Sequence, residues 1–371
     1  MVISRHHDRI TSMEIARMAG VGVGTVSRVL NHAPNVSRAM RERVTKIIDA
    51  TGYRPCSAAR MLSRSHYGTI GLVSEIEVGD TFYGLSLQSS MSQSLTQEDL
   101  RLALAFLPID AVAAELARLP ILRTHSVDGV VLDLHRFAGD LAAAAGQLRL
   151  PYVLVNPSGE HKCNAIVPDD LGVAAQATAH LLQRGHRRIA YLPTDAGVTH
   201  SSQPKRLQGY LGAMAQAGLV PLPWAADPLP AADFETGIRE RVERWTRDHG
   251  CTAIVIYNSV CTAMVVRCCY ELAMPVPAVL SLISCDYEPT LDQLPVPVTH
   301  LKLDRRQMGE AAVEMILARM QQPGRDLPSQ IAHGELHELS SVRTLRGKSE
   351  TGRAGPEHPA AELAAGQVAA G

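Results

Sequence analysis

A stretch near the start of the chain, Gly20–Asn31 with the sequence GVGVGTVSRVLN, restricts the fold more than any other segment. Just before it, Thr11 and Glu14 have the spacing of a capping box, in which each side chain accepts a hydrogen bond from a backbone donor at a helix start. Gly20 then supplies the backbone freedom that a tight turn needs. Apolar residues at helical spacing predict two short helices here. Their apolar faces are predicted to hold Ile15, Met18 and Ala19 in the first helix and Val26, Val29 and Leu30 in the second.

The second helix turns a mostly polar set of residues outward. This set consists of Val23, Gly24, Thr25, Ser27 and Arg28. Two helices joined by a short turn, with such a face on the second helix, are typical of a helix-turn-helix that places its second helix in the major groove of DNA. The sequence therefore predicts a recognition helix and a DNA partner.

The distribution of charge agrees with a polyanionic partner. Residues 1–66 contain eleven Lys and Arg against four Asp and Glu, whereas the remainder of the chain contains 25 against 33. A basic end on an otherwise acidic chain is the electrostatic footprint of nucleic-acid binding. A solvated basic face would explain the charge alone, but it would not explain the helix-turn-helix pattern.

A third helix completes the predicted small domain, residues 1–54. Ser37 is a plausible N-cap, and Gly52 ends the helix. The predicted buried stripe is Met40, Val44, Ile47 and Ile48.

These motifs resemble those of the lactose and galactose repressors, the LacI/GalR family of bacterial transcription regulators. The resemblance departs from the family pattern at Gly22, where a capping Ser is usual, and at Gly24, where a side chain usually reads a base. It implies that DNA is contacted by Val23, Gly24, Thr25, Ser27, Arg28, Asn31, Tyr53, Ala59 and Leu62. The residues that carry it are Met13–Ala16, Ala19–Val21, Thr25–Asn31 and Gly52–Pro55.

The resemblance also implies that residues 55–66 form a hinge. Pro55–Ser63 is too short to be helical alone. In the family, the matching segment folds on the operator, pairs with the same segment of a dimer partner and inserts a leucine into the minor groove. Leu62 holds that position here, and a plain linker leucine is the alternative.

The chain after residue 67 alternates short apolar runs with helical stretches, which predicts parallel sheets covered by helices on both faces. The likeness to the family continues to about Val342 and implies a core, residues 67–343, like a periplasmic sugar-binding protein. Such a core has two doubly wound α/β lobes around a ligand cleft. Crossings between lobes are expected near Pro168, Pro297 and Pro328, giving an N-lobe of 67–168 and 298–327 and a C-lobe of 169–296 and 329–343. The tail, 344–371, is too polar to pack, and a homodimer is expected.

Candidate ligand residues follow the apolar runs, because ligands of open α/β sheets bind beyond the carboxyl ends of strands. Asn156, Asn258 and Asp286 each follow such a run, and polar caps of purely structural origin are the alternative. The resemblance adds Arg206, Ser202 and Phe82. Carboxylates and amides accept from hydroxyl groups while Arg donates to them, so the set predicts a sugar or sugar-derived effector.

Other readings of the sequence explain less. The glycines of Gly20–Gly24 lack the spacing of a dinucleotide fingerprint, and His333–Glu338 lacks the order of a zinc helix and resembles a surface hairpin. Neither a metal nor another cofactor is expected. The start of the chain has no signal peptide and no apolar run could span a membrane, so a cytoplasmic protein with reduced cysteines is expected. A soluble α/β enzyme with an incidental basic end remains the alternative, and salt-dependent binding to a palindromic duplex separates the two.

Overall fold

The computed structural model describes residues 10–30, 33–53, 66–75, 83–107, 119–123, 126–134, 138–194, 200–223, 227, 229 and 233–345. The chain divides into two compact units. Unit 1 is Met1–Val167 with Arg305–Gln330, and unit 2 is Pro168–Asp304 with Ile331–Gly371.

Three short helices form the N-terminal domain: α1 Ser12–Ala19, α2 Val23–Leu30 and α3 Arg38–Thr51. The predicted capping box is confirmed, since the Thr11 backbone N–H donates to Glu14 Oε2 over 2.6 Å and the Glu14 N–H donates to Thr11 Oγ1 over 3.3 Å. Gly20 ends α1 in the left-handed region, with φ of 65°. This turn sends the chain directly into α2, so the predicted helix-turn-helix is present.

The core of this domain differs from the predicted one at two methionines. Met18 is 55 % exposed and Met40 is also exposed, whereas Ala16 is buried in place of Met18. A small residue suits this position because α1 and α2 pack closely across a short turn. The buried residues are Ile15, Ala16, Ala19, Val26, Val29, Val36 and Val44.

The remaining described residues form two sheets with helices between the strands. The strands are β1 Thr69–Glu75, β2 Arg101–Leu107, β3 Gly129–Asp133, β4 Tyr152–Val155, β5 Ala165–Pro168, β6 Ile189–Leu192, β7 Ala253–Ile256, β8 Ser281–Ser284, β9 Thr299–Leu303, β10 Gln330–Ala332 and β11 Gly334–His337. The helices are α4 Tyr83–Gln97, α5 Pro120–Arg123, α6 Ala138–Gln147, α7 Asp170–Gln183, α8 Ser202–Gln216, α9 Phe234–Arg247, α10 Ser259–Glu271 and α11 Arg305–Gln321.

The sheet of unit 1 has the order β10-β5-β4-β3-β1-β2, and strands β1 to β5 all run parallel. The sheet of unit 2 has the order β11-β9-β8-β7-β6, with β6 to β9 parallel and β11 antiparallel to β9. The central strands are fully buried, as the unbroken apolar runs predict. Parallel strands place their carboxyl ends at one edge of each sheet, and this edge positions the candidate site.

The second crossing of the chain lies later than expected. Residues 298–304 are predicted from the sequence to belong with the N-lobe, but β9 pairs with β8 and β11 in unit 2. The backbone of Thr299 also donates to Ser341 Oγ over 2.8 Å. Pro297 therefore precedes a strand of the second sheet, and the crossing falls between Asp304 and Arg305.

Two other expectations are wrong. His333–Glu338 is not a hairpin, because β10 and β11 on either side of His333 belong to different sheets. The unpacked tail was expected to begin at Thr344, but Thr344 and Leu345 are held by Arg184. The Leu345 N–H donates to the Arg184 carbonyl over 2.8 Å, and the Arg184 guanidinium donates to Thr344 Oγ1. Residues 346–371 lie outside the described residues.

Candidate functional site

The outer face of α2 carries the predicted DNA-contacting residues. Val23, Gly24, Ser27 and Arg28 are exposed and Thr25 is half-buried, whereas Val26 and Val29 pack into the domain. Arg28 bends back along the helix, and its Nε donates to the Gly24 carbonyl over 3.2 Å. The guanidinium therefore lies over the first turn of α2, where Gly24 leaves the helix surface bare.

The other predicted DNA contacts lie outside α2. Tyr53 is half-buried against the core of the domain, and its N–H donates to the Ile48 carbonyl over 3.2 Å. Tyr53 therefore stabilises the end of α3 by packing against the domain core. Asn31, Ala59 and Leu62 lie outside the described residues.

A buried polar cluster lies at the carboxyl edge of the unit 2 sheet, with Arg206 of α8 at its centre. Its Nε donates to Asp170 Oδ1 over 2.8 Å and its Nη1 donates to the Tyr257 carbonyl over 2.6 Å. The guanidinium carbon lies 4.9 Å from the centre of the Tyr257 ring. Asp170 and Arg206 are both buried, so the pair is shielded from water.

Close packing of two helices brings this ion pair together. Asp170 is the first residue of α7, whose N-cap Asp169 accepts a hydrogen bond from the Gly172 N–H over 2.9 Å. Gly209 of α8 lies so close to α7 that an added Cβ would be 2.2 Å from the Leu171 carbonyl oxygen. The absence of a side chain at Gly209 thus lets α8 approach until Arg206 reaches Asp170.

The electrostatics of the cluster depend on two carboxylates around one guanidinium. Burial alone would lower the pKa of Arg206, but Asp170 and Asp286 offset this effect and hold the pKa above its ordinary value. Burial raises the pKa of the Tyr257 hydroxyl to about 12, although Arg206 acts in the opposite direction. At neutral pH the cluster therefore contains a cationic Arg206 and a neutral Tyr257.

Hydroxyl groups extend the cluster. Ser202, one turn before Arg206 on α8, is buried, and its Oγ lies 2.5 Å from Tyr257 Oη. The same Oγ is hydrogen-bonded to Nδ1 of His200. Tyr191 on β6 is 1 % exposed, and its Oη makes no hydrogen bond within the described residues.

Asp286 and Asn258 follow β8 and β7, as predicted. Asp286 is buried, and its Oδ1 accepts from the Tyr287 N–H over 2.8 Å. Asn258 is the N-cap of α10, and its Oδ1 accepts from the Cys261 N–H over 2.9 Å. The amide oxygen of Asn258 thus has a structural role, and only its amide nitrogen is left as a donor.

Unit 1 contains two of the predicted ligand residues, Asn156 and Phe82. Asn156 follows β4, is buried, and has a φ of 49° in the left-handed region. At the same edge of that sheet, Ser74 donates to Asp133 Oδ2 over 3.2 Å. Phe82 lies outside the described residues.

The structure thus brings Ser202, Arg206 and Asp286 into one cluster. Sequence reasoning missed Asp170, Tyr257 and Tyr191 as members. Two signals were available, because Asp170 follows Pro168 at the end of β5 and Tyr257 ends the apolar run of β7.

Comparison with known proteins decides the family. Residues 11–56 match the model of the bacterial regulatory proteins of the lacI family, and residues 178–342 match the periplasmic binding protein-like domain. The HTH-type transcriptional regulator GalR of Escherichia coli strain K12 is 31 % identical over 283 residues, which cover 74 % of this chain and 79 % of GalR. The chain belongs to the LacI/GalR family of bacterial transcriptional regulators. Members of this family are regulators and not enzymes, so the enzyme alternative is set aside.

Solved structures of the LacI/GalR family share the fold. The lac repressor dimer bound to operator and the anti-inducer ONPF has a TM-score of 0.76 at 21 % identity, covering 90 % of this chain and 99 % of that one. The complex of the transcriptional regulator CelR with cellobiose has a TM-score of 0.62 at 24 % identity, covering 90 % and 100 %. Among the helices described here, none has the length and apolar character to cross a membrane.

Proposed function

We propose that this DNA-binding regulator is a repressor of carbohydrate-utilisation genes, and that a sugar or sugar-derived effector controls its affinity for a pseudo-palindromic operator. The effector binds at the carboxyl edge of the unit 2 sheet. Arg206 carries the proposal, because a buried arginine surrounded by carboxylates and hydroxyls is the donor and acceptor arrangement that binds neighbouring hydroxyl groups.

The hydrogen-bonding capacity of Arg206 supports this assignment. A guanidinium has five N–H donors in a fixed fork. Within the described residues, one of these N–H groups bonds Asp170 and one bonds the Tyr257 carbonyl, which leaves three for a ligand. Asp286 and Ser202 add acceptors beside it. CelR, a structural neighbour, has been solved with cellobiose, a ligand of the same chemical class.

The operator is bound through the outer face of α2. Arg28 is its long donor side chain within the described residues, and arginine is the usual bidentate partner of guanine. Arg38, Arg41, Arg43 and Lys46 on α3 supply charge for phosphates.

A homodimer is proposed as the binding species, since a palindromic site mirrors two-fold symmetry. The edge strand β2 supports it. Leu104 and Phe106 on this strand are 47 % and 44 % exposed. Among the described strands β2 pairs with β1 alone, and an apolar sheet edge of this kind is a protein-binding surface unless it is blocked.

Control of DNA affinity is proposed to pass through the hinge, Pro55–Ser63. Residues 54–65 lie outside the described residues. An inducing sugar separates the paired hinges, Leu62 leaves the minor groove, and each N-terminal domain then binds DNA only nonspecifically. Hydrogen exchange across residues 55–63 is expected to be slow on operator and fast after the sugar is added. Equal protection in the free, operator-bound and ligand-bound protein would exclude the hinge mechanism.

One experiment tests the proposed function as a whole. A duplex is selected from a random pool with the full-length protein, and sugars are then screened for thermal stabilisation and for release of that duplex. A ligand at 100 times its Kd adds about 2.7 kcal/mol of stability. Arg206→Met is expected to lose the response to the sugar, and a cooperative thermal transition together with retained duplex binding shows that the variant is folded. A normal response of Arg206→Met at the same sugar concentration would place the effector elsewhere.

A further inference from the structure

We infer that the cluster around Arg206 accepts uncharged polyhydroxylated ligands and discriminates against sugar phosphates and sugar acids. This inference rests on the proposed function, because it narrows the ligand class of the same site. It follows from the charges of the buried groups and from the sequence of the segments around them.

The buried charges of the cluster do not balance. Arg206 is the one buried cation among the described residues of the cluster, and it already forms an ion pair with Asp170. Asp286 is a second buried carboxylate that acts on the same guanidinium. The cluster therefore sets two carboxyl groups against one guanidinium before a ligand arrives.

The segments that follow the strands of unit 2 increase this imbalance. Residues 193–201, 257–259 and 285–297 follow β6, β7 and β8 and contain no Lys or Arg. The described part of these segments contains three acidic residues: Asp286, Glu288 and Asp292. An anionic ligand at this edge would therefore meet carboxylates from the described part of these segments.

Lys205 is the cation nearest to Arg206 in the sequence, and its position argues against a role in anion binding. Successive helix residues point about 100° apart, so Lys205 and Arg206 lie on different faces of α8. Lys205 is half-buried, whereas Arg206 is buried in the cluster. Lys205 is therefore a control position for the effect of charge.

The remaining groups of the cluster suit a neutral ligand. Ser202 and Tyr257 offer hydroxyl groups that both donate and accept, and the buried hydroxyl of Tyr191 has no partner within the described residues. Electrostatic interaction links Tyr191 to Arg206 and Tyr257, which places it in the same cluster. Ligand hydroxyl groups can pair with such groups without adding charge to a region of low dielectric constant.

The test uses full-length protein and calorimetric titration at pH 8, which lies above the ordinary histidine pKa of about 6.5. The probes are aldoses, ketoses, alditols and disaccharides, each measured beside its own phosphate ester and its own aldonic or uronic acid. We expect at least one neutral compound to bind, and its anionic derivatives to bind more than about tenfold more weakly. An anionic derivative that binds as tightly as its neutral parent would overturn the inference.

Two variants show whether Asp286 causes the discrimination. Asp286→Asn removes the charge but keeps an oxygen that can accept a hydrogen bond from the Tyr287 N–H. This variant is expected to reduce the difference in affinity between the neutral compound and its phosphate. Lys205→Gln is expected to leave this difference in affinity unchanged. An unchanged difference in affinity in Asp286→Asn, with a wild-type thermal midpoint as evidence of folding, would overturn the inference.

The failure of the proposed function has a different signature. If neither neutral nor anionic compounds bind, and Arg206→Met behaves as the wild type throughout, then the cluster is not an effector site and the inference fails with it. If an anionic compound binds tightly and Arg206→Met abolishes that binding, then the site stands and only the charge preference is wrong.

Discussion

Arg206 and Asp170 form a buried ion pair that joins α8 to the first residue of α7, with 2.8 Å between Nε and Oδ1. The two residues are 36 positions apart in the sequence. The pair fixes the guanidinium against Tyr257 and leaves its remaining donors at the carboxyl edge of the sheet. The structural role of Arg206 and its proposed ligand-binding role thus belong to one side chain.

Breaking this pair is expected to destabilise unit 2. Asp170→Asn leaves Arg206 buried without its bonded carboxylate, so the free energy of unfolding should fall by about 3 kcal/mol. Urea denaturation of the full chain measures this change. The control is Arg247→Gln, which removes an exposed pair with Glu243 and should cost less than about 1 kcal/mol. Equal effects of the two variants would contradict a structural role for the buried pair.

Two glycines on α8 are expected to respond in opposite directions to alanine. In Gly209→Ala, the new methyl group would meet the Leu171 carbonyl oxygen at 2.2 Å, so α7 and α8 must separate at a cost of about 1–3 kcal/mol. In Gly212→Ala, the methyl group meets nothing within 4 Å, and the loss of glycine flexibility should stabilise the helix by about 0.5–1 kcal/mol. Thermal midpoints of both variants provide the measurement. Gly209→Ala should also weaken the response to the effector, because it moves Arg206 away from Asp170.

Arg28 is expected to read a single base pair of the operator. Arg28→Ala should lose roughly 1–3 kcal/mol of binding free energy at one position, most simply a guanine, because the bidentate contact is lost. Competition binding with a set of single-base operator variants measures this preference. A uniform loss on every duplex, with a shallower salt dependence, would show that Arg28 contacts only phosphate.

The stability of unit 2 is expected to fall at acidic pH because of His186. This ring is buried between Thr252 Oγ1 at 2.9 Å and the Arg343 carbonyl at 3.0 Å, and burial lowers the pKa of His186 despite the hydrogen bond to Arg343. Folding therefore favours the neutral ring. Its contribution to stability is complete above the unfolded pKa of about 6.5 and is lost as the pH falls through the lower folded pKa.

Denaturation measured between pH 7.5 and pH 5 tests this linkage. A single such histidine adds a slope of at most about 1.4 kcal/mol per pH unit. His186→Gln should flatten the slope, although burial also lowers the pKa of His180 and of His300, so some slope will remain. Replacing the exposed His66 with Gln should not change the slope. An identical slope in His186→Gln and wild type would show that another group carries the pH dependence.

The local elements of this protein were determined by short-range features of its sequence. Thr11, Glu14 and Gly20 set the bounds of α1 by capping and by turn geometry, which involve residues a few positions apart. The buried strands β3 and β7 were predictable because each is a nearly continuous apolar run. Strands β5, β9, β10 and β11 were not predicted, because β5, β10 and β11 have only three or four residues and β9, β10 and β11 include polar residues.

The contact between Arg206 and Asp170 could not be predicted from the sequence. Its side chain was predicted as a ligand residue, but its partner Asp170 was not, because their contact depends on how closely α7 approaches α8 at Gly209. Asn258 was predicted as a ligand residue from its place after β7, but the hydrogen bond by which its amide oxygen caps α10 was not, because that bond depends on how the chain turns from β7 into the helix.

The sequence by itself thus determined the α/β alternation, the helix-turn-helix and the chemical types available for the site, since these depend on neighbouring residues. Only the tertiary structure decided that β9 belongs to unit 2, that Asp170 pairs with Arg206 and that His186 is held between Thr252 and Arg343. Each of these contacts joins residues distant in the sequence, and its energy comes from packing and burial, which no local pattern of residues records.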